Sequence, residues 1–104
     1  VKANRLSIGS VVEKTAHNPA IRYRVSKRGF IREGYFADLV LINPHKPTTV
    51  TDENTLYHCQ WSPFQGHQFS SAIQSTWVNG QQVFDGTKLV SGVSNGQRLG
   101  FIAP

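Results

Sequence analysis

The stretch Ala37-Asp38-Leu39-Val40-Leu41-Ile42 is an almost continuous apolar run, stopped by Asn43-Pro44. A strand that is apolar at consecutive positions, rather than alternate ones, calls for cover on both faces. This strand is therefore expected to be buried on both sides. The 104 residues allow one domain of ordinary size. A compact chain of that length buries about 65% of the surface its unfolded form exposes, enough for a core. It is too short for a complete (β/α)8 barrel, which takes roughly 250 residues.

Several classes fall away on composition. Hydrophobic residues are 38% and aromatic residues 11% of the chain, and the apolar positions are clustered, which argues against disorder. No apolar run approaches the roughly 20 residues needed to span a bilayer. Residues 1–14 are not a signal peptide, because Gly, Ser and charges interrupt their apolar positions. The single cysteine, Cys59, excludes an internal disulfide framework and fits a reducing, cytoplasmic compartment. The chain has no methionine and begins at Val1, so it is expected to be a processed chain or a fragment.

Charge is uneven. Residues 1–32 carry Lys2, Arg5, Lys14, Arg22, Arg24, Lys27, Arg28 and Arg32 against Glu13 alone, a net +7. Residues 33–104 carry a net −2. Such a basic head fits nucleic-acid binding, or a helical surface facing solvent or an acidic neighbour within a larger protein. The second reading is preferred. As a helix-turn-helix, the candidate recognition stretch Pro19–Val25 is too short to fill a major groove.

The periodicity changes partway along the chain. Ser7 can cap a helix over about 7–17, with Ile8, Val11, Val12, Thr15 and Ala16 at helical spacing. Asn18 before Pro19 is expected to end it and to cap a second short helix through Tyr23. From Gly29 the pattern is strand-like. Phe30-Ile31-Arg32 reads as a short strand, Glu33-Gly34 as a turn, 37–42 as the buried strand, and Thr48–Thr51 as a further short strand. Trp61-Ser62-Pro63-Phe64-Gln65-Gly66 reads as a compact turn. Ser71–Val78 and Gln81–Phe84 flank Asn79-Gly80, a strong two-residue hairpin signal. Asp85-Gly86 starts another turn, and Gly92, Gly96 and Gly100 break the remainder.

Chemistry-bearing patterns are sparse. His17, His45, His58 and His67 form neither H-x-H nor H-E-x-x-H. A zinc site from His58, Cys59 and His67 lacks the usual ligand spacing. Cys59 reads as a small buried hydrophobe in a strand rather than a nucleophile. No phosphate-binding loop is present, since Gly92, Gly96 and Gly100 lie outside any strand-to-helix context. No carboxylate pair is placed for acid–base work. Asp38 is the tempting catalytic candidate, but a turn or cap hydrogen bond is the expected role.

Several segments carry a resemblance. Asn18-Pro19-Ala20, then Lys27-Arg28-Gly29-Phe30-Ile31-Arg32-Glu33-Gly34, then Ala37–Ile42, resemble the C-terminal segment of the cyclic amidohydrolase superfamily. That family has N-P-A, K-G-x-I-x-x-G and A-D-L-V in this order. Here Arg28 precedes the glycine where lysine is common. Thr76-Trp77-Val78-Asn79-Gly80-Gln81-Gln82-Val83 is similar to its T-x-V-x-G-x-x-V hairpin. Trp61–Gly66 resembles the W-S-P-F-E-G segment of dihydroorotases, with Gln65 for Glu, and Arg98-Leu99-Gly100-Phe101 resembles an R-L-x-F tail.

The resemblance implies an α+β, mainly β fragment. Residues 1–28 would be the last helices of a metal-dependent (β/α)8 barrel. Residues 29–104 would be the C-terminal strands of a small composite β-sandwich and a tail. It implies a parent dihydroorotase, interconverting dihydroorotate and carbamoyl aspartate in pyrimidine synthesis with Zn2+. Hydantoinase, allantoinase, a small basic nucleic-acid-binding module and a free-standing β-rich interaction domain are the alternatives. The implied metal ligands and catalytic residues precede Val1. No catalytic, cofactor-binding or metal residue carries over to this chain, and it is expected to be inactive alone. Expected partners are the rest of the same polypeptide or another copy, in a homo-oligomer, with neither nucleic acid nor membrane. An uncovered sheet edge and an exposed apolar face are expected where those partners are absent.

Overall fold

The computed structural model describes residues 5–103. Contacts divide the chain into two compact units. The first comprises the chain up to Asp38 with Val78–Gly80 and the segment from Asn95 onward; the second comprises Leu39–Trp77 and Gln81–Ser94.

The first unit begins with a helical segment. Ser7 caps α1 (Ile8–Val12) in extended backbone, and its Oγ accepts from the Ser10 N–H at 3.0 Å. The helix does not stop at His17. It widens into a π-helical stretch, Glu13–His17, and continues directly as α2 (Asn18–Arg22). Asn18 has helical φ and ψ of −63° and −41° and is not a side-chain cap. Proline has no N–H and its ring crowds the carbonyl four residues back. The wider register, with the Asn18 N–H donating to the Glu13 carbonyl, accommodates Pro19 without breaking the segment.

Past Tyr23 the chain reverses. Arg24 and Lys27 both have φ of 54°. The Ser26 N–H donates to the Gly100 carbonyl at 2.8 Å, and the Ile102 N–H donates to the Arg24 carbonyl at 2.9 Å. Gly29 (φ 81°) then crosses the helical segment where a Cβ would collide with the Ala20 side chain and lie 2.8 Å from the Ala16 carbonyl oxygen. Small residues at 16, 20 and 29 make that crossing possible. The Phe30–Arg32 stretch is not a strand, because it finds no ladder partner among the described residues, and Ile31 is 89% exposed.

The second unit holds two sheets. The first has the order β1 (Leu39–Asn43), β4 (Ala72–Val78) and β5 (Gln81–Phe84). β1 and β4 are antiparallel, with Leu39 opposite Trp77 and Ile42 opposite Ile73, and the register shifts between Leu41 and Ile42. The second pairs β2 (Thr48–Thr49) with β3 (Gln68–Phe69), also antiparallel. Asn79 (φ 49°) and Gly80 (φ 81°) form the two-residue turn between β4 and β5. Positive φ at both positions matches the right-handed twist of paired strands.

Burial departs most from the sequence expectation. β1 is not buried on both faces: Val40 and Ile42 are each 55% exposed, and Ile73 beside them is 51% exposed. Ala20 is the single buried hydrophobic residue among those described. The described residues supply three strands to the larger sheet but no second apolar layer to cover it.

Candidate functional site

A polar knot in the first unit joins four distant segments. Arg28 is nearly buried and its guanidinium lies 4.2 Å from the centroid of the Phe36 ring. It pairs with Asp38 Oδ2 and donates from Nη2 to Asn79 Oδ1 at 3.0 Å. The Asn79 backbone N–H donates to Asp38 Oδ1 at 2.8 Å. Asn79 Nδ2 donates to the Asn95 carbonyl, and Asn95 Nδ2 donates to the Val78 carbonyl. The Gly80 N–H donates to the Ala37 carbonyl at 3.0 Å.

Chemically this arrangement is closed. Asp38 Oδ2 pairs with Arg28 and its Oδ1 accepts from the Asn79 N–H, so both oxygens are engaged in holding the Asn79 turn. The positively charged Arg28 is compensated by Asp38 and by the ring face beneath it. Among the described residues, no buried side-chain nitrogen or oxygen lacks a partner. A satisfied network of this kind fixes one backbone arrangement.

Sequence reasoning did not find Arg28, Asn79 or Asn95 in these roles. Arg28 and Asn79 are 51 residues apart. No local spacing rule connects them, and only the hairpin signal marked Asn79 at all.

The remaining candidates stay apart. His58 and Cys59 lie in an exposed turn, not a strand, so Cys59 is not the buried hydrophobe expected. Its thiol sits 3.7 Å from the Trp61 carbonyl. His67 packs edge-on against Phe69, with ring centroids 4.6 Å apart. His17 stacks on Phe30 at 4.2 Å. Among the described residues no three His, Cys, Asp or Glu side chains form a group that could hold a metal ion. The residues present therefore do not fit the zinc implied by the resemblance.

Three surface clefts give the same picture. In the second unit, one is lined by Val50, Leu56, Tyr57 and Phe69, and another by Ile42, Lys46, Ile73 and Phe84. In the first unit, a cleft is lined by Arg24, Arg32, Phe30 and Tyr35. None of the three includes a histidine or a carboxylate. Two exposed carboxyls have shifted titration. Glu53 is held below its ordinary value by the Thr51 hydroxyl. Asp85 is held below by the Lys88 and Thr87 N–H groups, which its Oδ1 accepts at 2.9 Å each. Both are turn bonds. No helix among the described residues is long and apolar enough to cross a membrane.

Residues 2–84 match the amidohydrolase family. The chain is 39% identical over 83 residues to an N-acyl-D-aspartate deacylase from Alcaligenes xylosoxydans xylosoxydans, covering 80% of this chain and 15% of that protein. It is 33% identical over 85 residues to a dihydroorotase from Clostridium acetobutylicum, covering 82% of this chain and 20% of the relative. An L-hydantoinase (dihydropyrimidinase) structure from Arthrobacter aurescens superposes with a TM-score of 0.74 at 26% identity, over 86% of this chain and 20% of the other. The chain thus spans about a fifth or less of the length of these relatives.

Proposed function

The chain belongs to the amidohydrolase family, and from that premise we propose that it is a non-catalytic C-terminal part of an enzyme that hydrolyses a cyclic amide. The observation that carries this reading is the closed Arg28–Asp38–Asn79 knot. Asp38, inside the family-like motifs, is spent on holding a turn, and the clefts include neither a histidine nor a carboxylate. The chain's contribution to the reaction is then architectural. Residues 1–28 would close the barrel that carries the chemistry, and residues 29–104 would supply strands to the accompanying sandwich. The Zn2+ implied by the resemblance belongs to residues outside this chain.

The substrate we favour is dihydroorotate, hydrolysed reversibly to carbamoyl aspartate in pyrimidine synthesis. Support comes from Trp61–Gly66 and from the Arg98–Phe101 tail, the two segments that resemble dihydroorotases rather than the wider family. The identity to an N-acyl-D-aspartate deacylase favours a second reading, an enzyme acting on open-chain N-acyl amino acids. The two share chemistry, because carbamoyl aspartate is itself an aspartate acylated on nitrogen. Hydantoin and allantoin are the remaining cyclic candidates. The exposed apolar surface of β1 and β4 would be covered by the rest of the polypeptide, or by a second copy in a homo-oligomer. The basic head would face an acidic neighbour and not nucleic acid, and the single Cys59 suits a cytoplasmic protein.

Hydrolysis assays of the intact protein against dihydroorotate, N-acetyl-D-aspartate, hydantoin and allantoin test this reading. Turnover of dihydroorotate above the other three is expected. Preference for the open-chain substrate overturns the dihydroorotase reading in favour of the deacylase. Measurable turnover by residues 1–104 alone, with added zinc, overturns the claim that the chemistry lies elsewhere.

A further inference from the structure

The sequence contains two Asn-Gly pairs, Asn79-Gly80 and Asn95-Gly96. Asn-Gly is the dipeptide most prone to spontaneous deamidation, because glycine leaves its own nitrogen sterically free to attack the preceding carboxamide. Both pairs meet in the one polar knot. Asn79 Nδ2 is donated to the Asn95 carbonyl, and Asn95 Nδ2 is donated to the Val78 carbonyl. We infer that Asn79 is a latent deamidation site, kept from reacting by the knot that Arg28 and Asp38 close.

The reaction needs the Gly80 nitrogen to give up its proton to solvent and bond to Asn79 Cγ. The Cγ–Nδ2 bond breaks and ammonia leaves, giving a five-membered succinimide. Water then opens the ring at either carbonyl, leaving aspartate or isoaspartate at position 79. In the structure every participant is occupied. The Gly80 N–H is donated to the Ala37 carbonyl at 3.0 Å. Asn79 Oδ1 accepts from Arg28 at 3.0 Å, and the Asn79 N–H is tied to Asp38 at 2.8 Å. Cyclisation requires these bonds to open together, so the rate follows the population of the locally opened state.

The product would not fit back. A carboxylate at 79 has no N–H to offer the Asn95 carbonyl and sets a second negative charge beside Asp38. Isoaspartate adds a backbone carbon to a two-residue turn. Loss of the Asn79 donor also removes the hydrogen bond that holds the Asn95 carbonyl. Opening is therefore recorded irreversibly at Asn79.

Peptide mass spectrometry of the intact protein, incubated at mildly alkaline pH with and without guanidinium, tests this. Deamidation at Asn79 is expected at least about tenfold slower in the native protein than in the denatured one. Arg28→Ala is expected to close most of that gap. The milder Asp38→Asn, which keeps an amide oxygen for the Asn79 N–H, is expected to close part of it, and serves where Arg28→Ala does not fold. Hydrogen exchange at the Gly80 amide should accelerate in the same order. Equal rates in native and denatured protein overturn the inference. So does a folded Arg28 or Asp38 variant whose Asn79 stays as slow as wild type.

Discussion

Arg28 decides more of the local structure than any other side chain described. It binds a carboxylate, a carboxamide and an aromatic face at once. Removing one partner of such a part-buried pair leaves the other charge without compensation. Because Asp38 remains about one-third exposed, Arg28→Ala is expected to cost about 2–3 kcal/mol in chemical denaturation of the intact protein. Arg28→Lys should recover only part, since an ammonium cannot span Asp38 and Asn79 with a planar fork. Gly29 is constrained differently. Gly29→Ala meets both positive φ and a collision with Ala20, and is expected to cost about 2–4 kcal/mol. Gly34→Ala has the same sign of φ but open space around it, and should cost about 1–2 kcal/mol. Equal losses at the two glycines would remove close packing from the explanation.

Legibility in the sequence followed how local the determining contact is. The Ser7 cap, the Asn79-Gly80 turn and the Asp85 turn each depend on residues within a few positions of one another, and all three stand in the structure. For Asp38 only a turn hydrogen bond was legible, from its place before β1; its partners, Arg28 and Asn79, lie 10 and 41 positions away. Asn18-Pro19 misled because the local rule against helix before proline was met by the π-helical register at Glu13–His17, a change of backbone hydrogen bonding with no sequence mark. β3 was missed because its residues pair across a long loop with only Thr48 and Thr49. The Asp85 turn also gives a pH prediction. Its folded value lies below the unfolded one, so its contribution is present above the ordinary aspartate range and is lost as pH falls through the folded value. An NMR titration of the Asp85 carboxyl should show a midpoint below that range; a midpoint within it would contradict the turn bonds.

At the scale of the whole molecule the governing fact is unspent apolar surface. β1 carries the consecutive apolar pattern of a strand covered on both faces, yet Val40, Leu41 and Ile42 are exposed. The pattern describes an environment that residues 5–103 do not themselves provide. Family membership and the fraction of each relative that is covered agree with a segment whose surroundings come from elsewhere. The intact mass of the native polypeptide that carries this sequence is the direct check. A mass several times 11.6 kDa, with these residues as its C-terminal part, is the predicted result. A native polypeptide of 11.6 kDa that buries β1 within itself would contradict it.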